Sequence, residues 1–321
     1  KLIGMDFVRL ALERAATAHE ASQILLELLA KHGQGGNCGF DKPFYYDNSY
    51  LISDKTTAYI LETSGKNHQL REVAHNGNIS NRLSINDDQF AKKNTEPIFT
   101  FFSGSLNRQN CVSKGLEETN DLSVSGIMDI LRSHRHQDER HLFSKGSVKS
   151  VCMHKSLLGD HTTGSMIVES RKDGIDTIWM TGCSTPCLSI YKPCFFGIIT
   201  APVFETREES LAYWLQREYL VRAVYAGLID VTDYRTKRDA LQKQFLEEED
   251  ALFKAKPSKT ELKEFALRCS QSEQAFVDQY QAQIERIKQE TTHLPRLWKK
   301  KTHVLGKNVF ERDLKRRISH E

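Results

Sequence analysis

The stretch Asn48-Ser-Tyr-Leu-Ile-Ser-Asp-Lys-Thr-Thr-Ala-Tyr-Ile-Leu-Glu-Thr63 decides the fold class of this 321-residue chain. It contains two short runs that suit β-strands, and the polar residues 54–57 separate them. Polar clusters also bound both runs, which predicts a β-hairpin rather than a helix. Helical patterns precede the hairpin and further short strands follow it. We therefore expect it at the centre of an antiparallel sheet covered by helices, in an α+β fold.

The segments around the hairpin are predicted from their periodicity. Residues 4–15 and the segment beginning at Thr17 form amphipathic helices, and Thr17 with Glu20 makes a capping-box pattern. After the hairpin, residues 70–74 and 78–83 suit strands joined by an Asn76-Gly77 turn. We expect residues 86–122 to form a surface excursion anchored by Phe99, Phe101 and Phe102. A helix over 124–133 and strands over 148–154, 162–169 and 177–181 follow.

The character of the sequence changes near residue 205, where three long, highly charged helices with narrow apolar stripes begin. Pro257 separates the second helix from the third. The sequence therefore predicts a core over 1–204, a helical appendage packed on it over 205–292, and a basic tail over 293–321. Residues 299–317 carry eight Lys and Arg against two acidic residues. Such a tail is either solvated or docks on an acidic protein surface.

Composition excludes several classes of protein. A hydrophobic fraction of 39% and a charged fraction of 27% are typical of a soluble globular chain. No apolar run is long enough to span a membrane, and we identify no signal peptide. The net charge of +3 is too small to indicate nucleic-acid binding. Seven scattered cysteines in a chain of this size predict reduced thiols and a cytoplasmic location.

Cysteines and histidines give no clear metal motif. Cys183, Cys187 and Cys194 lack the paired spacing of a structural zinc site. Three arginines lie among His134, His136 and His141, so charge repulsion favours a solvated loop over a cation site. Cys152 is interpreted as a small apolar residue within a strand. We therefore predict no metal and no cofactor.

Two other motifs are also absent. The glycine-rich residues 34–39 end a helix rather than open one, and they lack the Lys-Ser/Thr pair of a phosphate-binding loop. No serine has the Gly-x-Ser-x-Gly context of a nucleophile elbow. The residues alone thus indicate an α+β protein without a complete catalytic set.

The sequence resembles the secernins and the related bacterial cysteine dipeptidases, which are N-terminal-nucleophile (Ntn) hydrolases. The motifs that carry the resemblance occur in the same order and with the same spacing as in the family over residues 1–195. It is carried by Leu2-Ile-Gly-Met-Asp-Phe-Val-Arg-Leu-Ala-Leu-Glu-Arg14, Thr17-Ala18, His32-Gly-Gln-Gly-Gly-Asn37, Asn48-Ser-Tyr-Leu-Ile-Ser-Asp54, Leu61-Glu-Thr63 with Gly65, Ile79-Ser-Asn81, Leu131-Arg-Ser-His134, Ser150-Val-Cys-Met-His154, Thr162-Thr-Gly-Ser-Met166 and Thr181-Gly-Cys-Ser-Thr-Pro-Cys187 with Tyr191-Lys-Pro193.

The resemblance implies a four-layer αββα sandwich and hydrolysis of small peptides or related amides. The nucleophile would be the thiol of an N-terminal cysteine, with its own α-amine as the general base. In the family that cysteine, a nearby arginine and an oxyanion-side asparagine all precede the point that matches Lys1. The nucleophile is therefore expected outside residues 1–321. It would lie in a segment missing from the sequence or in a cleaved piece that stays bound, unless the chain is a relative that has lost the activity.

Three residues are carried over as candidate site residues. Asn81 matches the position where related Ntn hydrolases place an asparagine that faces the scissile carbonyl, so it is expected to donate to the oxyanion or substrate. Turn chemistry offers an equally good explanation of Asn81 after the Asn76-Gly77 pair. Thr162 and Ser165 are weaker candidates for lining the same substrate pocket.

An alternative function belongs to a different class. Secernins are associated with regulated secretion, so the fold could persist as an inactive scaffold or interaction protein. The charged helices of residues 205–292 and the basic tail would then contact an acidic partner, and the association would weaken with salt.

Overall fold

The computed structural model describes residues 2–39, 43–85, 87–94, 103–119, 122–155, 161–198, 200 and 202–305. The chain forms two compact units. The first unit comprises Lys1–Leu122, Val148–Val151 and Ser170–Lys172, and the second comprises Ser123–Ser147, Cys152–Glu169 and Asp173–Glu321. The boundary expected at 204/205 falls inside the second unit. Both units combine helices with a small antiparallel sheet, so the α+β class is confirmed.

The predicted hairpin is confirmed as the centre of the first unit. Strand β1 (Asn48–Ser53) pairs with β2 (Ala58–Ser64), and β3 (Asn67–Glu72) pairs with the other edge of β2. The Asp54 carboxylate accepts hydrogen bonds from the amides of Thr56 and Thr57 in the turn, and from the amide of Ala18. These bonds stabilise the charged form and hold the pKa of Asp54 well below its ordinary value.

Two helices cover this sheet, as the sequence predicted. Helix α1 spans Gly4–Arg14 and α2 spans Ala18–His32. The Thr17 hydroxyl caps α2 by accepting from the amide of Glu20 at 3.1 Å. Phe7 of α1 and Leu29 of α2 pack with Leu61 of β2 in one buried cluster. The hydrophobic contact between helices and hairpin therefore forms the core of this unit.

Two predictions for the first unit are wrong. The second hairpin turn lies at residues 64–67, where Gly65 adopts φ +63°, rather than at Asn76-Gly77. Residues 78–83 form only an isolated bridge between Ser80 and Arg82. The expected surface excursion contains a π-helix (Asp87–Ala91), a helical turn (Lys92–Asn94) and helix α3 (Ser105–Glu118). Phe99, Phe101 and Phe102 lie outside the described residues.

The described residues of the second unit form six α-helices and the second antiparallel sheet. Helix α4 (Val124–Arg132) is followed by strands β4 (Ser165–Glu169), β5 (Thr177–Thr181) and β6 (Lys192–Phe195), in the order β4-β5-β6. The remaining helices are α5 (Arg207–Tyr225), α6 (Val231–Lys254), α7 (Lys259–Asp278), α8 (Gln281–Gln289) and α9 (Arg296–Val304).

These helices and strands share one large core. Trp179 of β5, Phe265 of α7 and Ile284 of α8 are fully buried members of it. The predicted third helix is interrupted at Gln279 and Tyr280 and so forms α7 and α8. Residues 148–152 form bends instead of the predicted strand. No helix among the described residues is both long and apolar enough to cross a membrane.

Candidate functional site

Four side chains with metal-binding chemistry converge in the interior of the second unit. They are His134, Cys152, His154 and Cys187, and their ligand atoms all lie within 4.8 Å of one another. The Nε2 atoms of His134 and His154 are 3.2 Å apart, and His154 Nε2 is 3.2 Å from Cys187 Sγ. We call these four residues the Cys2His2 cluster.

Separate segments place the members of the cluster. His134 follows the C-terminal end of α4, and the Cys152 amide donates to the Ser133 carbonyl at 3.1 Å. Cys187 lies in a 3-10 turn, Pro186–Leu188, that begins after Thr185. Thr185 has φ +57°, which is a strained conformation for a β-branched residue and redirects the chain into the turn.

Thr162 holds two of these segments in position. Its hydroxyl accepts from the Met153 amide at 2.9 Å, and its own amide donates to the Met153 carbonyl at 2.8 Å. Its carbonyl in turn accepts from the Thr185 amide at 2.9 Å. Thr162 therefore links the backbone next to His154 with the turn that carries Cys187.

The outer ring nitrogens of both histidines also have partners. His154 Nδ1 lies 2.6 Å from the Tyr225 hydroxyl, and His134 Nδ1 lies 3.2 Å from Glu139 Oε1. An ionised carboxylate can only accept, so the proton of a neutral His134 lies on Nδ1 and its Nε2 lone pair faces the cluster. A hydroxyl can accept as well as donate, so Tyr225 permits the same tautomer of His154.

The cluster is largely buried, and the rings of Phe143 and Tyr225 pack against His154. Cys152 and His154 are 0% exposed, Cys187 is 3% exposed, and the His134 side chain is 5% exposed. Burial is the main cause that raises the pKa of the Cys152 thiol. Burial also acts to raise the pKa of Cys187, but hydrogen bonding from Cys152 and the charge of His154 outweigh it and hold that pKa well below the ordinary value. The pKa values of the two thiols are thus shifted in opposite directions.

The sequence-based interpretation of these residues needs correction. His134 is half-buried with a side chain only 5% exposed, so it is not the solvated residue that was expected, while His136 and His141 are exposed as expected. The Arg132 guanidinium, which was expected to repel a cation there, donates to the carbonyls of Pro186 and Ser189. Cys152 is buried in the core, as a small apolar residue would be, but it also faces Cys187 and the two histidines.

Cys183 and Cys194, which the sequence analysis considered together with Cys187, lie outside the cluster. Cys183 Sγ faces the Ser189 hydroxyl at 3.0 Å, and Cys194 is a half-buried residue of β6. All seven cysteines lie in the described part of the chain, and none of them forms a disulfide there. Cys187 therefore joins residues that are distant in sequence rather than its neighbours.

Asn81 lies in the first unit, in the bridge segment that follows the sheet. Its side-chain oxygen accepts from Arg108 Nη2 of α3 at 2.6 Å. A guanidinium has only donors, so this contact fixes the amide with Oδ1 toward Arg108 and leaves Nδ2 pointing elsewhere. Asn81 is exposed, and none of the described residues supplies an acceptor for Nδ2. The amide is thus presented as a hydrogen-bond donor.

Thr162 and Ser165 belong to the second unit and are half-buried. The Ser165 hydroxyl accepts from the Tyr191 hydroxyl at 2.6 Å, and Thr162 makes the backbone contacts described above. Both side chains therefore have positioning contacts within the protein. Their role in a substrate pocket shared with Asn81 stays a prediction.

Comparison with known proteins adds no further assignment. A scan against protein-family models finds none that matches this chain, and a search of solved structures finds no match either.

Proposed function

We propose that this chain belongs to a secernin-like, cysteine-dependent amidohydrolase that cleaves small peptides or related amides in the cytoplasm. The ordered series of sequence motifs over residues 1–195 supports the proposal, together with the alternation of helices and antiparallel sheets. In this proposal the α+β chain has the four-layer αββα fold that the resemblance implies. The presentation of the Asn81 amide is the structural observation that carries the proposal.

The nucleophile in this proposal is an N-terminal cysteine outside residues 1–321. Its thiolate attacks the substrate carbonyl carbon, the free α-amine takes the thiol proton, and negative charge develops on the carbonyl oxygen. Asn81 Nδ2 donates to that oxygen and stabilises the tetrahedral intermediate. Arg108 orients Asn81 by binding its Oδ1. Cys187, whose pKa lies well below the ordinary value, is 3% exposed, which keeps it away from a substrate.

Asn81→Ala is expected to lower kcat about 10²-fold, because removing one oxyanion donor has an effect of that order. Asn81→Asp should lower it as much, since aspartate keeps an acceptor for Arg108 but has no N–H to donate. The measurement is hydrolysis of a dipeptide series by the protein expressed from its complete coding sequence.

Asn78→Ala is the matched control, because Asn78 lies in the same segment but donates to the Ser113 hydroxyl at 2.8 Å. It should keep nearly full kcat. Full activity in Asn81→Ala would remove Asn81 from the site, whereas absence of thiol-dependent amide hydrolysis in the wild type would contradict the hydrolase itself.

A second candidate function is binding of an acidic protein surface, and a basic groove in the second unit favours it. The groove is lined by Lys288, Arg296, Lys299, Lys300 and His303, and Lys299 and Lys300 are exposed on α9. Several like charges on one concave surface attract an acidic partner and lose that attraction in salt. Residues 306–321, which complete the predicted basic tail, lie outside the described residues.

The paired substitution Lys299→Glu/Lys300→Glu should weaken binding of a poly-glutamate peptide at least about tenfold at low salt, since it reverses two charges. Deleting residues 299–321 should have an equal or larger effect. Lys243→Glu is the control, because Lys243 is exposed on α6 and does not line the groove. Equal affinities for all these proteins, measured by fluorescence anisotropy, would contradict this second function.

A further inference from the structure

We propose that the Cys2His2 cluster binds one divalent metal ion through His134 Nε2, Cys152 Sγ, His154 Nε2 and Cys187 Sγ. Two thiolates and two imidazoles are a common structural set for zinc, which makes zinc the ion that these ligands fit best. The proposal concerns the second unit and is independent of the hydrolase activity proposed above.

The distances within the cluster match the edges of a zinc tetrahedron. Zn–N bonds of about 2.05 Å and Zn–S bonds of about 2.3 Å give ligand separations of about 3.3 Å for N···N, 3.6 Å for N···S and 3.8 Å for S···S. The observed N···N distance is 3.2 Å, the His154–Cys187 N···S distance is 3.2 Å, and all four ligand atoms lie within 4.8 Å. Small side-chain adjustments are enough to reach metal-bound geometry.

The balance of charges at this buried cluster also favours a bound metal ion. Two buried thiolates would be costly without a counter-charge, because burial penalises ionised groups. A Zn²⁺ ion bound to two thiolates and two neutral imidazoles forms a site of zero net charge. Any proton that a cysteine of the cluster still carries would be released on binding, and no electrons are transferred, since zinc has no redox chemistry in proteins.

The outer contacts of the histidines are those of metal ligands. A metal-bound histidine donates its other ring N–H to a carboxylate or another oxygen, which fixes the tautomer and the ring orientation. Glu139 supplies the carboxylate for His134, and Tyr225 of α5 supplies the oxygen for His154. Glu139 therefore fixes the tautomer that directs the Nε2 lone pair of His134 toward the cluster, and Tyr225 permits the same tautomer of His154.

The predicted role of the metal is structural. Four protein ligands leave no open coordination position, and the burial of the cluster excludes a substrate. The ion would join the end of α4, the segment around Cys152 and His154, and the 3-10 turn at Cys187, with Tyr225 extending the contact to α5. Single backbone hydrogen bonds rather than a sheet ladder connect these segments, so the metal would add a further link between them.

The direct test is metal analysis and X-ray absorption of the wild-type protein, produced with zinc in the medium and purified without chelators. The expected result is one zinc ion per chain, with an absorption fine structure of two sulfur and two nitrogen ligands. This measurement does not depend on any variant folding. Less than a stoichiometric amount of every transition metal, or a Cys152–Cys187 disulfide, would overturn the proposal.

The zinc content of two cysteine variants, one inside and one outside the cluster, tests where the ion binds. Cys187→Ser should lose most of the bound zinc, while Cys183→Ser, which alters a buried thiol outside the cluster, should keep one ion per chain. Tyr225→Phe should weaken zinc binding about 10–100-fold in competition with a chelator, because it removes a contact to a ligating histidine. Zinc retained by Cys187→Ser, or lost from Cys183→Ser, would place the metal elsewhere and contradict the assignment.

Discussion

Glu273→Ala is expected to lower the free energy of unfolding of the second unit by about 3–5 kcal/mol, because it leaves buried cations without their carboxylate. Glu273 of α7 is 4% exposed and accepts from Arg217 Nε at 2.9 Å and from Arg217 Nη2. Lys192 Nζ of β6 lies 3.1 Å from the same carboxylate. The Tyr213 hydroxyl donates to it as well, at 3.2 Å. A single carboxylate thus pairs with both cations of a network that spans α5, α7 and β6.

The pH dependence of this effect has a definite sign. Burial acts to raise the pKa of Glu273, but the charges of Lys192 and Arg217 outweigh it and lower the pKa below the ordinary value. A depressed pKa in the folded state contributes stability that is present above the unfolded value and is lost as the pH falls through the folded value. The difference between wild type and Glu273→Ala should therefore shrink below about pH 4.

Denaturant unfolding followed by tryptophan fluorescence measures the loss of stability in Glu273→Ala. The fluorescence reports on the second unit, since all three tryptophans lie there. Glu247→Ala is the control, because Glu247 makes an exposed pair with Lys243 and should cost less than about 1 kcal/mol. The double variant Arg217→Ala/Glu273→Ala should be less destabilised than the sum of its single changes by about 1–3 kcal/mol. Additive effects would show that the ion pair is not the source of the loss.

Local signals in the sequence predicted the elements that depend on local chemistry. The Thr17 cap, the polar turn at Asp54 and the helix break at Pro257 all occur where side chains act on their own neighbours in the chain.

Strand β3 was placed a few residues too late because its sequence, Asn67-His-Gln-Leu-Arg-Glu72, contains few β-forming residues. Pairing with β2 through the turn at Gly65 determines its position instead. Helix α3 was missed because only Ser105 is fully buried in it, which leaves no apolar stripe to detect.

The Cys2His2 cluster could not be predicted from the spacing of cysteines and histidines along the sequence. Only Cys152 and His154 are close in sequence, and His134 and Cys187 come from a helix end and a 3-10 turn on either side. Their convergence depends on tertiary contacts, such as those of Thr162 with Met153 and Thr185. Asn81 was predicted as a site residue from its motif, and that prediction stays a prediction; the orientation of its side chain depends on Arg108 of α3, a helix that the sequence did not predict.

Glu62 gives the last prediction, and it concerns the hairpin from which the fold was deduced. This glutamate lies in the middle of β2 between Leu61 and Thr63, and it is 0% exposed. Four consecutive buried residues, Ile60 to Thr63, show that both faces of β2 are covered, so the usual alternation of apolar and polar residues is absent. The carboxylate accepts from the Ser84 amide, the Ser84 hydroxyl and the Ile85 amide at 2.6–2.8 Å.

Glu62→Ala should therefore lower the local free energy of unfolding by about 3 kcal/mol, because it leaves two buried amides without an acceptor. The corresponding measurement is hydrogen exchange at the Ser84 and Ile85 amides, which should become about 10²-fold faster. Glu62→Gln should lose less than about 1 kcal/mol, since its amide oxygen can accept from both amides and its NH2 group can donate to the Ser84 hydroxyl.

The contrast between these two variants separates the hydrogen bonds from the charge. Equal losses in Glu62→Gln and Glu62→Ala would show that the negative charge, rather than its acceptor oxygens, holds the segment after the sheet. Unchanged exchange in both variants would show that residues 84 and 85 are held by other contacts. The expected order, with alanine far more damaging than glutamine, would show that the buried carboxylate of β2 holds residues 84 and 85 by accepting from their backbone amides.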